Sequence, residues 1–123
     1  MRNGTVRCWE NQGIRLSRRT TILHVRAIDN GGSGIDVESE SLVIESIASD
    51  NEMHGIIAGW GSVIRDCVAA NNAGNGIWGT VSVLIVHNSV HNNDKSGIRV
   101  DSACHVKDNL AQANSFIVEN DLS

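Results

Sequence analysis

Gly76-Ile77-Trp78-Gly79-Thr80 and, 21 residues later, Gly97-Ile98-Arg99-Val100-Asp101 are two copies of one pattern. The same Gly-Ile pair opens three earlier stretches, at Gly13-Ile14, Gly34-Ile35 and Gly55-Ile56. Seventeen residues after each glycine stands an asparagine: Asn30, Asn51, Asn72, Asn93 and Asn114. An uninterrupted period of this length marks a solenoid, in which each repeat is one coil stacked on the last.

Laid over one another, the repeats show uncharged columns. These are Ile14, Ile35, Ile56, Ile77, Ile98; then Leu16, Val37, Ala58, Gly79, Val100; then Ile22, Val43, Ile64, Ile85, Val106; and then Ala27, Ala48, Ala69, Val90, Ala111. The spacing of two between the first columns is strand alternation. The chain contains no proline, which would remove a ladder hydrogen bond. These columns predict three short strands per coil, joined by turns and stacked into three parallel sheets around one core. The expected domain is single, residues 1–123. It has a partial coil at 1–12, repeats at 13–33, 34–54, 55–75, 76–96 and 97–117, and a C-terminal end at 118–123. That makes about six coils and a rod roughly 28 Å long.

The asparagine column predicts turn residues in left-handed backbone whose amides bond those above and below. The glycine column predicts a tight corner where φ can be positive.

Gly97-Ile98-Arg99-Val100-Asp101-Ser102, followed by Val106-Lys107-Asp108-Asn109 and Asn114, resembles a repeat of right-handed parallel β-helix proteins of the pectate-lyase-like group. Gly76-Ile77 through Asn93 reads the same way, and the resemblance covers residues 13 to 114. It implies fold rather than activity, because the group holds lyases, hydrolases and epimerases of acidic polysaccharides, tail spikes, adhesins and others. Enzymes of this kind usually have more coils and long loops on one face. Here every repeat keeps one length, which argues against catalysis. Met53-His54-Gly55 and Arg99-Val100-Asp101 come near polygalacturonase-like motifs without completing them.

Composition excludes several classes. No apolar run reaches a membrane span, and no apolar signal segment follows Met1, so no membrane contact is expected and the default compartment is cytoplasmic. Cys8, Cys67 and Cys104 fall at different register positions, so no disulfide is expected. No close cysteine pair suggests a metal site, and no cofactor is implied. Residues 1–26 hold six arginines and one acid, while residues 27–123 hold four bases and thirteen acids. Stacking pairs Arg15 with Asp36 and Arg19 with Glu40, so the arginines read as coil-to-coil charge pairing. With one Phe and no Tyr, no nucleic-acid stacking platform is expected.

The outward residues of the first strand carry the candidate ligand site: Arg15, Asp36, Glu38, Trp78, Arg99 and Asp101. Trp78 offers an apolar face to a sugar ring, Arg15 and Arg99 suit uronate carboxylates, and the acids suit sugar hydroxyls. A column of His24, Glu45, Asp66, His87 and Asp108 reads as a turn where opposite charges stack, and His54, His91 and His105 read as isolated.

The second strand is apolar on its outward side as well, through Leu23, Leu42, Ile44, Val63, Leu84 and Val86. Such a patch predicts a homo-oligomer packed through this face. Trp9 and Phe116 are candidate end caps. The favoured function is a non-catalytic oligomeric module binding polysaccharide on its first-strand face. The alternatives are a small lyase or epimerase and a purely structural assembly protein.

Overall fold

A computed structural model describes residues 1–119 of the chain. Residues 120–123, the last part of the C-terminal end expected at 118–123, lie outside the described residues. The partial coil holds β1 (Arg2–Arg7), and the first full coil holds β2 (Ile14–Leu16) and β3 (Thr21–Ile28). The second coil holds β4 (Ile35–Val37), β5 (Leu42–Ile44) and β6 (Ile47–Ser49). The third holds β7 (Ile56–Ala58), β8 (Val63–Arg65) and β9 (Val68–Ala70), and the fourth holds β10 (Ile77–Val81), β11 (Leu84–Val86) and β12 (Ser89–His91). The fifth holds β13 (Ser96–Ser102), β14 (His105–Lys107) and β15 (Leu110–Gln112), and β16 (Phe116–Glu119) follows.

All pairings are parallel, as a solenoid of about five turns requires. The first sheet runs β2-β4-β7-β10-β13-β16. The second and third strand stacks join at the unbroken β3, which pairs with β1 on one side and on the other with β5 along its first half and β6 along its second. The three expected sheets are therefore three faces, two of them joined through β3. Pairing keeps a register of 21: Ile14 faces Ile35, Ile35 faces Ile56, Ile56 faces Ile77 and Ile77 faces Ile98.

The inward columns are the core. Ile22, Ile35, Ile56, Ile64, Ile77, Ile85 and Ile98 are fully buried, with Val37, Val43, Val90 and Val100 beside them. Burying a side chain of this size contributes about 1.5–3 kcal/mol.

Corners differ from the sequence reading in one residue. The left-handed residue is the one before each asparagine: Asp29, Asp50, Asn71, Asn92 and Ala113. Two further corner columns do the same, at Arg19, Glu40, Ser82 and Ala103 and at His24, Glu45, Asp66, His87 and Asp108, with φ at all these corners between 48° and 59°. Most corner residues are followed by an inward side chain that accepts a backbone N–H from the coil before it, while Val25 and Val83, after His24 and Ser82, carry no acceptor. Asn51 Oδ1 accepts from Asn30 N at 3.1 Å, Ser62 Oγ from Ser41 N at 3.0 Å, and Asn88 Oδ1 from Cys67 N at 2.9 Å. The buried asparagines also form the expected amide ladder, Nδ2 to Oδ1 at 3.0 Å from Asn30 through Asn51 and Asn72 to Asn93.

The repeat glycines have a different cause from the one expected. None of them has positive φ; among the described glycines only Gly61 does, at 70°. A Cβ on Gly55 would stand 2.5 Å from Gly76 O and 2.8 Å from Asn72 Nδ2. The glycine makes room for the asparagine amide and for the next coil's carbonyl.

Candidate functional site

The outward row of the first sheet reads Arg15, Asp36, Ile57, Trp78, Arg99 in direct register. Strand geometry points these side chains away from the isoleucine core, and the stack sets them about 4.8 Å apart. The row divides into two groups on either side of Ile57.

In the first group Arg15 Nε stands 3.9 Å from Asp36 Oδ2. Burial pushes the Asp36 carboxyl above its usual range, with Glu38 adding to the rise and Arg15 opposing it. Glu38 is exposed beside it.

The second group is a connected network. The Arg99 guanidinium lies over the Trp78 ring, 4.4 Å from the centroid. Trp78 Nε1 donates to Asp101 Oδ1 at 3.2 Å, and Arg99 Nε lies 3.6 Å from the same oxygen. That Nε is buried and makes no hydrogen bond. His54 packs against Trp78 in a T-shaped contact, with centroids 5.2 Å apart.

His54 is not isolated. It belongs to an inward column with Ser33, Asn75 and Ser96, and its Nδ1 accepts Asn75 N–H at 2.8 Å. The signal lay in that column, where all four residues can accept a hydrogen bond. Burial lowers the His54 pKa, and the cations Lys95 and Arg99 lower it further. A neutral ring that accepts at Nδ1 carries its proton on Nε2, so it has no lone pair left for a general base.

The sequence thus placed six residues on one face, and the structure gathers three of them, Trp78, Arg99 and Asp101, into contact. Trp78 differs from the reading made of it. The guanidinium occupies a face that was to receive a sugar, so Trp78 positions Arg99. Asp36 and Glu38 lie three coils away from Arg99 and Asp101, about 14 Å along the axis, and Arg15 lies four coils away, about 19 Å.

Elsewhere the titratable column brings His24 to Glu45 and sets His87 Nε2 3.7 Å from Asp108, while Asp66 pairs with Arg65 at 2.7 Å. Arg19 pairs with Glu40 at 2.6 Å. The apolar patch is narrower than expected. Ile44 and Val86 are buried, each lying in register beside the longer Arg65. Leu42 is exposed, while Leu23, Val63 and Leu84 are half-buried. Trp9 and Phe116 are 63% and 64% exposed and so do not bury themselves as caps. Cys67 and Cys104 are buried, and burial pushes the Cys67 thiol up to about 12.

The family described as "Right handed beta helix region" matches residues 1–121, and the chain belongs to that family. No curated protein is similar to it by sequence. Among solved structures it is similar to a double mutant of the periplasmic alginate epimerase AlgG, at TM-score 0.73 and 12% identity, covering 98% of this chain and 39% of that one. It is also similar to the A-module of the Azotobacter vinelandii mannuronan C-5 epimerase AlgE6, at TM-score 0.70 and 11% identity, covering 98% of this chain and 51% of that one. The chain thus spans about half or less of these structures. At such identities the likeness is one of fold.

Proposed function

We propose that this chain is a non-catalytic β-helix module whose first-sheet face binds an acidic polysaccharide. The observation that carries the reading is Arg99, a cation held in place by Trp78 and Asp101 whose side chain stays 37% exposed. A guanidinium preset in this way suits a carboxylate, because ordering the side chain costs little on binding. Arg15 offers a second cation four strand spacings along the same row. Asp36, Glu38 and Asp101 suit sugar hydroxyls. That the similar structures act on alginate or mannuronan supports an acidic polymer as the partner.

The alternative, a lyase or epimerase, is less well supported. His54 has no free lone pair, and the two acidic groups stand about 14 Å apart, too far to work together across one sugar linkage.

A glycan array rich in uronate polymers tests the proposal. Retention by one polymer class, weakened about tenfold by Arg99→Ala, is expected. A blank array from folded protein would favour a structural or assembly role. Release of unsaturated or epimerised sugar would favour the enzyme.

We also propose a symmetric homodimer through the second-sheet strip around Leu42, Val63 and Leu84, with Leu23 and the buried Ile44 and Val86 beneath it. Light scattering that gives a monomer at micromolar concentration would end that proposal.

A further inference from the structure

Gly59-Trp60-Gly61 interrupts the regular surface between the first and second sheets. Gly59 is confined by backbone: a Cβ there would stand 2.9 Å from Glu38 C and from Ser39 N. Gly61 supplies the left-handed corner at φ 70°, and Ser62 N–H closes the turn onto Gly59 O at 3.3 Å. The two glycines leave Trp60 as the side chain at the tip of this turn, and it is 53% exposed. Its column neighbour Val81 is also exposed. Exposing an indole forfeits the burial that usually justifies tryptophan.

The surroundings suit a sugar. Gly59 stands in column with Glu38 on one coil and Thr80 on the next, so Trp60 directly follows a column that offers a carboxylate and a hydroxyl. Thr80 Oγ1 donates to Ala58 O at 3.3 Å, which leaves its oxygen free to accept from outside. An apolar ring face beside a carboxylate and a hydroxyl matches the CH face and the hydroxyl edge of a pyranose.

We propose that Trp60 is the stacking platform for a sugar ring of the polymer bound on the first-sheet face. This rests on the binding reading above and assigns the apolar contact to Trp60, since Trp78 is engaged by Arg99 and His54. The two sites lie two coils apart, about 10 Å along the axis, so one chain can reach both Trp60 and Arg99.

The test is affinity electrophoresis of the full chain in gels containing a uronate polymer, with Trp60→Ala, Trp60→Phe and Trp9→Ala compared with wild type. Trp60→Ala should weaken retention about tenfold, Trp60→Phe should keep most of it, and Trp9→Ala should match wild type. Unchanged melting temperatures would confirm that each variant folds. Wild-type retention that Trp60→Ala leaves intact overturns this assignment alone. Equal losses from Trp60→Ala and Trp9→Ala also overturn it, because the effect would not be local. No wild-type retention on any polymer overturns the binding reading and this inference together.

Discussion

The two sides of the first sheet obey different rules. The inward row is isoleucine in every coil, Ile14 to Ile98, and it is buried throughout. The outward row changes at nearly every step, from Arg15 through Asp36, Ile57 and Trp78 to Arg99. Inside, each side chain must fit an identical neighbour above and below, so the stack itself imposes repetition. Outside, only the β backbone is shared. The repeat therefore reports the fold, and departures from it report what the surface does.

The strongest break in this contrast should come from the asparagine ladder. Asn72 donates to Ala48 O and Asn93 Oδ1 and accepts from Asn51 N and Nδ2. Asn72→Ala orphans these buried partners and should cost about 3–5 kcal/mol in urea unfolding. A loss below about 1 kcal/mol would mean the ladder is incidental. Gly55→Ala comes next, at about 2–3 kcal/mol, because the new methyl meets Gly76 O and Asn72 Nδ2. If φ rather than space were the reason for this glycine, the loss would appear without any local shift of the ladder amide resonances.

His54 joins the two sides, capping the inner column while touching Trp78. Its folded pKa is lowered, so between that value and the ordinary histidine value near 6.5 the unfolded chain binds more protons. Stability should therefore fall as pH drops below about 6.5. His54→Asn keeps an acceptor for Asn75 N–H and removes the titration. The stability difference between pH 7 and pH 5 should shrink in that variant, and an unchanged slope would assign the effect elsewhere.

The corners should respond in the opposite direction. Ala103 holds φ 52° without help from its side chain. Ala103→Gly should stabilise by about 0.5–1 kcal/mol, read from the melting temperature. The smallest effect concerns reactivity. A thiol reagent should label Cys8 rapidly in the native state and leave Cys67 and Cys104 untouched until unfolding. Fast labelling of two thiols would contradict the burial pattern.

The legible part of the sequence was whatever the stack repeats identically. One asparagine column was visible because it never varies. The two other cap columns went unseen, because Ser62, Asn88 and Cys104 fill the same role with different residues and Val25 and Val83 interrupt the columns. Any small side-chain acceptor serves there, so no single residue type marks the position. The candidate site was legible only as a set of residues on one face. Trp78, Arg99 and Asp101 differ in register by one coil or two residues, which is enough to predict proximity but not which group covers which.

By itself the sequence determined the coil, its period, the inward columns, the parallel register and the Arg15–Asp36 and Arg19–Glu40 pairings. All of these follow from a constant spacing of 21 residues acting on a strand whose side chains alternate. Only the tertiary structure decided that the repeat glycine clears space rather than turns the chain, that Arg99 takes the Trp78 face, and that Trp60 stays exposed. Each of these depends on atoms of neighbouring coils meeting at contact distance, and a column of letters carries no distances.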